Sequence, residues 1–416
     1  MIPHDRVVHQ PLGGASYYFK ESLLKYLSDQ CSRPAVALHV GAQPNCTPHV
    51  GNMTTFATCF ALGACLQKQF TRNVRVKFMF VDSAPSPGHE FLVNGVKYQK
   101  SLKQMQTFEA HQRAFTNVLD RLSGLSGVAY DISTQSFWRS NHAFPNVIRS
   151  LVARHSILGP HLSPETGKLA IRAPCPHEGC GLADKHGVNN RYHADGRITF
   201  ICPDHGEHHI DTTTAHDLER LELNTPLRNL IRITLCSLDT DTSWIMCTGA
   251  DYAGFYQEQL TWRLLQHPAH APIIFYAPLI LDWSGAKLSK SLYIKQGGYN
   301  YLVDTGRRYL LDGDAFLETT GGIEALFEEV QDWVNHPHKL FRNYTLDYLE
   351  TQLITRGMDY PSAASGAKKS DILLAAMTPP NAFPETFEPP SLSSSSPPSK
   401  HDPDTNPLHS SPLDNK

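Results

Sequence analysis

No run of about 18 or more apolar residues occurs anywhere in the 416 positions, so the sequence predicts no membrane-spanning helix. The opening stretch MIPHDRVVHQPLGG also lacks the continuous apolar core of a secretion signal, and the expectation is a cytoplasmic protein. Cysteine is sparse: nine scattered residues are too few for a disulfide scaffold, so clustered ones read as metal ligands and isolated ones as buried apolar groups. Charge of one sign is lacking too. A formal net charge of −3 argues against a broad basic surface for nucleic acid, although a local basic patch stays compatible with it. No internal repeat is visible. What is present is an ordinary globular balance, 41% hydrophobic and 19% charged, in a chain long enough for a sizeable core and two to three structural units.

Three regimes and a tail follow from the patterning. Up to about residue 160, short β-branched runs alternate with helical stretches. Residues 36–40 (VALHV) and 74–81 (VRVKFMFV) read as buried strands. Between them residues 53–70 have helical spacing, with Phe56, Cys59, Phe60 and Leu66 on one face. Strand, helix, strand implies a βαβ unit and a parallel sheet. Residues 169–211 are rich in Cys, His and Gly. The α/β pattern then resumes, with strands at 243–247 and 273–276 and a helix at 256–265 between them. Residues 313–355 read as helical, with Leu326, Val330, Trp333 and Val334 on one face. From about residue 359 the chain is dominated by Pro, Ser and Asp, a composition that predicts disorder.

Chemistry concentrates in three places. The strand VALHV runs into GAQPNCTPHVGNM and then a helix, where amide donors and the helix dipole favour phosphate. Here His49 can donate to a phosphate oxygen, Gly51 leaves room for an adenine ring against the backbone, and Asn52 adds a donor at the helix entrance. About 235 residues later Lys287, Ser289, Lys290 and Ser291 fall in a loop, KLSKS, whose ammonium groups can stabilise a departing pyrophosphate. Between these, Cys175 and Cys180 pair with Cys202 and His205 in the spacing of a structural zinc ribbon. The glycines after Cys180 and His205 suit tight turns. His177, His208 and His209 are rivals for the fourth ligand position.

The HVGN stretch with its Pro44-Asn45 lead-in resembles the HIGH signature of class I aminoacyl-tRNA synthetases, and KLSKS resembles their KMSKS signature with Leu for Met. In motif order the chain is similar to the catalytic half of class I lysyl-tRNA synthetases over roughly residues 33–295. That resemblance implies a Rossmann-like parallel sheet of the HUP-type class I synthetase core, with a zinc-ribbon insertion and a short helical C-terminal part. It implies five segments: 1–160 and 216–310 as two halves of a catalytic domain, 161–215 as a zinc-binding insertion, 311–358 as a helical segment and 359–416 as a disordered tail. It also sets Asp82 at the family's acidic loop, where Ser83 and Ala84 now follow, and Asp251, with Gly249, Gly254 and Gln257, at its GxD segment.

The family carries a large helical anticodon domain after KMSKS, and here only about 65 residues of plausible structure stand in its place. The expectation is therefore tRNA-dependent peptide chemistry rather than housekeeping aminoacylation. In size, low-complexity tail and the opening ASYYFKESLLKYL, the chain resembles the fungal arginine-containing cyclodipeptide synthases. That resemblance implies that aminoacyl groups, one of them arginine, pass from charged tRNAs into a diketopiperazine of secondary metabolism. Tyr17, Asp82, Asp251, Tyr252 and Gln257 are then candidates to hold an aminoacyl side chain or α-amine, and His49, Asn52, Asp82, Lys287 and Lys290 the catalytic set. The implied partners are the acceptor end of aminoacyl-tRNA and amino acids, with structural zinc. The alternatives are an ATP-dependent ligase forming an aminoacyl adenylate, with ATP as its nucleotide, and a non-catalytic tRNA-binding synthetase paralogue.

Overall fold

The structure is a computed structural model and describes residues 23–69, 72–266, 268, 270–289 and 297–359. The described residues belong to one compact unit. Its centre is a five-stranded parallel sheet formed by β1 (Ala35–Ala42), β2 (Asn73–Phe80), β3 (Tyr130–Thr134), β4 (Thr242–Gly249) and β5 (Ile273–Ala277). Their spatial order is β5-β4-β1-β2-β3. This is the doubly wound Rossmann-like arrangement, and its strand order reverses between β1 and β4.

Alternation along the strands explains why helices cover both faces. On β1, Val36, Leu38 and Val40 enter one core, whereas His39 lies on the opposite face against Trp244. On β4, Ile245 and Cys247 join that first core and Met246 the second; on β5, Phe275 joins the first and Ile274 and Tyr276 the second. The first core is closed by α1 (Val50–Gln69), α2 (Glu109–Ser126) and α5 (Gly322–Asn335), and the second by α3 (Phe144–Ala153) and α4 (Thr225–Leu238).

Helix α1 starts three residues earlier than its apolar spacing suggests. It is buried nearly all round because α5 covers the side away from the sheet. This is why its apolar residues exceed a single face. Leu326, Val330, Trp333 and Val334, the face expected of the C-terminal helices, are all buried in the first core. The span 313–355 is not continuous helix. It breaks into a short helix Gly313–Glu318, α5, a 3-10 turn Pro337–Phe341, a two-residue strand Tyr344–Thr345 and α6 (Leu346–Thr355). That small strand pairs with Ile280–Leu281, stitching the C-terminal helices to the segment that carries Lys287. The Pro- and Ser-rich tail beyond residue 359 lies outside the described residues.

The Cys- and His-rich middle region folds around an antiparallel hairpin, Arg197–Cys202 with Gly206–Asp211. Several contacts attach it to the rest of the molecule, among them the antiparallel pairing of Ala183–Asp184 with Tyr98–Gln99. Ile198, Phe200 and Ile210 enter the second core. Arg172 and Glu222, each almost fully buried, pair at 3.5 Å, and Ser101 Oγ donates to Glu222 at 2.6 Å.

Candidate active site at the β1/β4 switch point

A cavity of about 550 Å³ opens at the carboxyl ends of β1 and β4, where the strand order reverses. Open α/β sheets place ligands at such points because both flanking loops diverge from the sheet there. Asn45 and His49 from the β1–α1 loop and Gly51 and Asn52 from the first turn of α1 line it, and so do Asp251, Tyr252, Lys287 and Ser289. The two signature segments, far apart in sequence, therefore face one cavity.

The loop is locked to the start of α1 by a reciprocal pair. The Asn52 backbone N–H donates to His49 Nδ1 at 3.3 Å, and Asn52 Oδ1 accepts from the His49 backbone N–H at 3.4 Å. With Nδ1 accepting, the neutral His49 ring carries its proton on Nε2 and can donate to an anion. The ring is largely buried. Gly51 has a nearer reason for lacking a Cβ than an adenine ring: a methyl there would stand 3.1 Å from the His49 ring atoms. Pro44 is buried beneath the loop and does not line the cavity, whereas Asn45 does.

The opposite wall is built by a turn at Asp282. Its Oδ1 accepts from the backbone N–H groups of Ser284 and Ala286, and its Oδ2 accepts from Tyr299 Oη at 3.2 Å. Tyr299 Oη in turn accepts from the Ser289 backbone N–H at 3.0 Å, and Leu288 is buried as an anchor. Leu, like the Met it replaces in the resemblance, is thus an apolar peg. Lys287 Nζ projects from this turn to Asp251 Oδ2 at 2.6 Å. Gly249 permits that position of Asp251, since a Cβ there would stand 2.4 Å from Asp251 Oδ1. Lys290 and Ser291 lie outside the described residues, as does Tyr17.

Asp82 and Gln257 are not among the residues lining this cavity. Met79 and Val81 line the cavity, whereas Asp82 begins the turn that follows β2 and is directed away from it. Asp82 borders a separate cleft of about 470 Å³, where its Oδ1 accepts from the Ser136 backbone N–H at 3.3 Å. Gln257 sits on a π-helix, Phe255–Leu264, and Tyr256 of that helix lines the cavity instead.

Three polar residues of α4 line the cavity and were missed by motif reading: Arg228, Asn229 and Arg232. His39 joins them from mid-β1. A signal existed in the sequence. TPLRNLIRITL has the apolar spacing of a core-facing helix, with two arginines at i and i+4 interrupting it. Burial, and secondarily the nearby Arg232, hold the His39 imidazole well below its usual pKa, so it is neutral. Burial also lowers the Arg228 guanidinium to about 10, which leaves it charged at neutral pH.

The candidate metal centre is separate and borders a cleft of about 650 Å³. One ligand atom each from Cys175, Cys180, Cys202 and His205 lies within 4.8 Å of the others. Cys180 Sγ and Cys202 Sγ are 3.6 Å apart, and His205 Nδ1 is 3.6 Å from both Cys175 Sγ and Cys202 Sγ. These are edge lengths that a tetrahedral ion bound by three sulfurs and a nitrogen requires. Gly181 and Gly206 adopt φ of +66° and +74°, which shapes both ligand turns. The rival histidines are engaged elsewhere: His177 stacks on the His205 ring at 4.0 Å, His208 meets the Ala173 carbonyl, and His209 meets Thr199. The four residues can hold a metal ion.

No family profile matches the chain, and no curated protein matches it in sequence. Solved structures with a similar outline exist. One is assigned as an arginyl-tRNA synthetase from Campylobacter jejuni, at 10% identity and TM-score 0.30 over 86% of this chain and 94% of that one. Another is a glutamate tRNA ligase from Elizabethkingia meningosepticum in complex with its amino acid, at 12% identity and TM-score 0.29 over 62% of this chain. A third is a glutamate-tRNA synthetase from Elizabethkingia anophelis, at 12% identity and TM-score 0.30 over 63%. The chain spans about half the length of the last two, 53% and 54%. At these scores the likenesses carry no residue assignment and no activity. Among the described residues, no helix is long and apolar enough to cross a membrane.

Proposed function

We propose that the chain is an enzyme of the class I aminoacyl-tRNA synthetase type, acting on an aminoacyl group attached to an adenosine nucleotide. The observation that carries this reading is the convergence of the His49–Asn52 pair and Lys287 on one cavity at the β1/β4 switch point. The loop at the α1 N-terminus supplies donors for phosphate or ribose oxygens. Lys287 supplies a positive charge across the cavity, and Lys290 and Ser291 complete that loop in the sequence. The organisation we favour is a catalytic domain in two halves, 1–160 and 216–310, with the metal-binding insertion 161–215 between them and the helical segment 311–358 after them. In the insertion zinc is the preferred ion for three thiolates and an imidazole, and its role is structural.

Two donors of the aminoacyl group suit such a cavity. In an adenylate-forming ligase, a free amino acid attacks ATP and pyrophosphate leaves. The presence of Lys287 at the cavity wall supports this, because a cation there stabilises the departing charge. In a tRNA-dependent cyclodipeptide synthase, the cavity holds the terminal adenosine of a charged tRNA. The amine of a second aminoacyl group attacks the ester carbon, and the tRNA hydroxyl leaves. The packing of α5 and α6 back into the first core supports this second reading, because the segment after the lysine loop closes over the catalytic core.

Two assays on purified full-length protein separate these readings. ATP–pyrophosphate exchange driven by a free amino acid is the expected result for the ligase. Cyclic dipeptide formed from pre-charged aminoacyl-tRNA without ATP, detected by mass spectrometry, is the expected result for the synthase. Silence in both assays overturns the enzymatic reading and leaves a tRNA-binding paralogue.

A further inference from the structure

We propose that Arg228 and Arg232 form a receptor for a carboxylate on the substrate side chain, so that the cavity selects an acidic aminoacyl group. This rests on the aminoacyl-adenosine reading of the same cavity and deepens it.

The two arginines are one helical turn apart on α4, so both face the cavity from the same side. Arg228 Nη2 donates to Thr225 Oγ1 at 3.1 Å, and Arg232 Nη2 donates to Asn229 Oδ1 at 3.0 Å and to Tyr256 Oη. These are neutral acceptors. Among the described residues, neither guanidinium has a carboxylate within salt-bridge distance. Arg228 is more than nine-tenths buried. Arg232 Nε and His39 Nε2 are buried polar atoms without a hydrogen-bond partner. Two like charges in a buried, uncompensated cluster destabilise a fold unless something of opposite charge completes them. Asp251 is the one carboxylate among the described lining residues, and it is engaged by Lys287.

Depth decides which carboxylate fits. His39 precedes the end of β1 by three residues, so this cluster lies about 10 Å below the strand ends and the nucleotide loop beyond them. In either reaction the α-carboxyl carbon is the reacting centre and must sit beside the adenosine. The oxygens reaching down to the arginines then belong to the side chain, held by a planar fork that suits a carboxylate. Tyr252 and Tyr256 supply an apolar wall for the intervening methylenes. An arginine side chain would meet two like charges at this end, so an arginyl group has to enter through another position.

The test uses stable analogues, 3′-aminoacylamido-3′-deoxyadenosines carrying Glu, Asp, Gln, Asn or Arg, with binding to the full chain measured by calorimetry. The expected result is at least tenfold tighter binding of Glu or Asp over its amide, with that preference abolished in Arg228→Met and Arg232→Met. Each variant should melt no lower than the parent, because removing one of two uncompensated charges relieves repulsion. Equal binding of acid and amide overturns the proposal but leaves the adenosine site standing. Free glutamate or aspartate that binds through these arginines, with no binding of any adenosine analogue, leaves the receptor standing and overturns the adenosine reading. Inorganic phosphate bound through the arginines, with no preference for acids, identifies a phosphate site and overturns the proposal. Variants that melt far below the parent mark the arginines as structural and overturn it too.

Discussion

Lys287 Nζ stands 2.6 Å from Asp251 Oδ2, which joins the turn after β5 to the turn after β4 across the mouth of the cavity. Both side chains are about a third or more exposed, at 47% and 33%. An exposed pair of this kind contributes at most about 1 kcal/mol to folding. On the proposed reading its value lies in holding an ammonium beside the place where negative charge develops. Lys287→Ala is therefore expected to lower turnover about 10²–10³-fold with little change in thermal midpoint. Parallel kinetics and melting curves check this, and a melting loss as large as the activity loss would make the lysine structural.

The His49–Asn52 pair gives a second expectation. Asn52→Ala removes the side-chain acceptor that reaches back from the first turn of α1 to the His49 backbone N–H, a hydrogen bond worth about 1 kcal/mol. Gly51→Ala instead sets a methyl 3.1 Å from the His49 ring, which must shift by a few tenths of an ångström. Both variants should stay folded and lose nucleotide affinity. Equilibrium binding of adenosine nucleotides against urea midpoints distinguishes this outcome from general unfolding.

Metal content and stability should fall together in Cys175→Ser and Cys202→Ser. Their thiols lie within the ligand cluster and metal binding is coupled to folding. His177→Ala should keep the metal, because that ring stacks on His205 and is outside the four-ligand set. Elemental analysis of the three purified variants tests the assignment. Loss of the metal in His177→Ala alone would reassign the fourth ligand.

A pH dependence follows from the β2–β3 edge. Hydrogen bonds from Arg75 and then Lys77 hold the Asp131 carboxyl down to about 2. The folded value lies below the unfolded one of about 3.9, so the contribution is present above about pH 4. It is lost as pH falls towards 2. The groups are roughly two-fifths exposed, so screening keeps the effect small, within about 1 kcal/mol per pair. Asp131→Asn should lower the urea midpoint at pH 7 and leave it nearly unchanged near pH 2. An equal difference at both pH values would refute the assignment.

Much of this protein can be read along the chain. The strands of β1, β2, β4 and β5 announce themselves as β-branched and aromatic runs, because a strand buried on both faces has little freedom in composition. The four metal-ligand candidates are legible because their spacing and flanking glycines are local properties of two tight turns. His49, Gly51 and Asn52 are legible for the same reason: one strand-to-helix turn contains them all.

The tertiary structure decided what local spacing cannot express. Asp82 and Val81 are neighbours, yet the turn that starts after β2 leaves only Val81 on the cavity and puts Asp82 on a separate cleft. Gln257 gives way to Tyr256 because the orientation of a π-helix decides which of its residues faces inward. Arg228 and Arg232 interrupt the apolar spacing of α4 in the sequence, but only the packing of that helix shows that they line the cavity and that no carboxylate among the described residues pairs with them. The sequence by itself determined four of the five sheet strands and the turn-borne motifs, whose constraints act within a few residues. Only the packing of the doubly wound sheet determined the membership of the cavity, because strand alternation, helix orientation and burial are settled by contacts between distant segments.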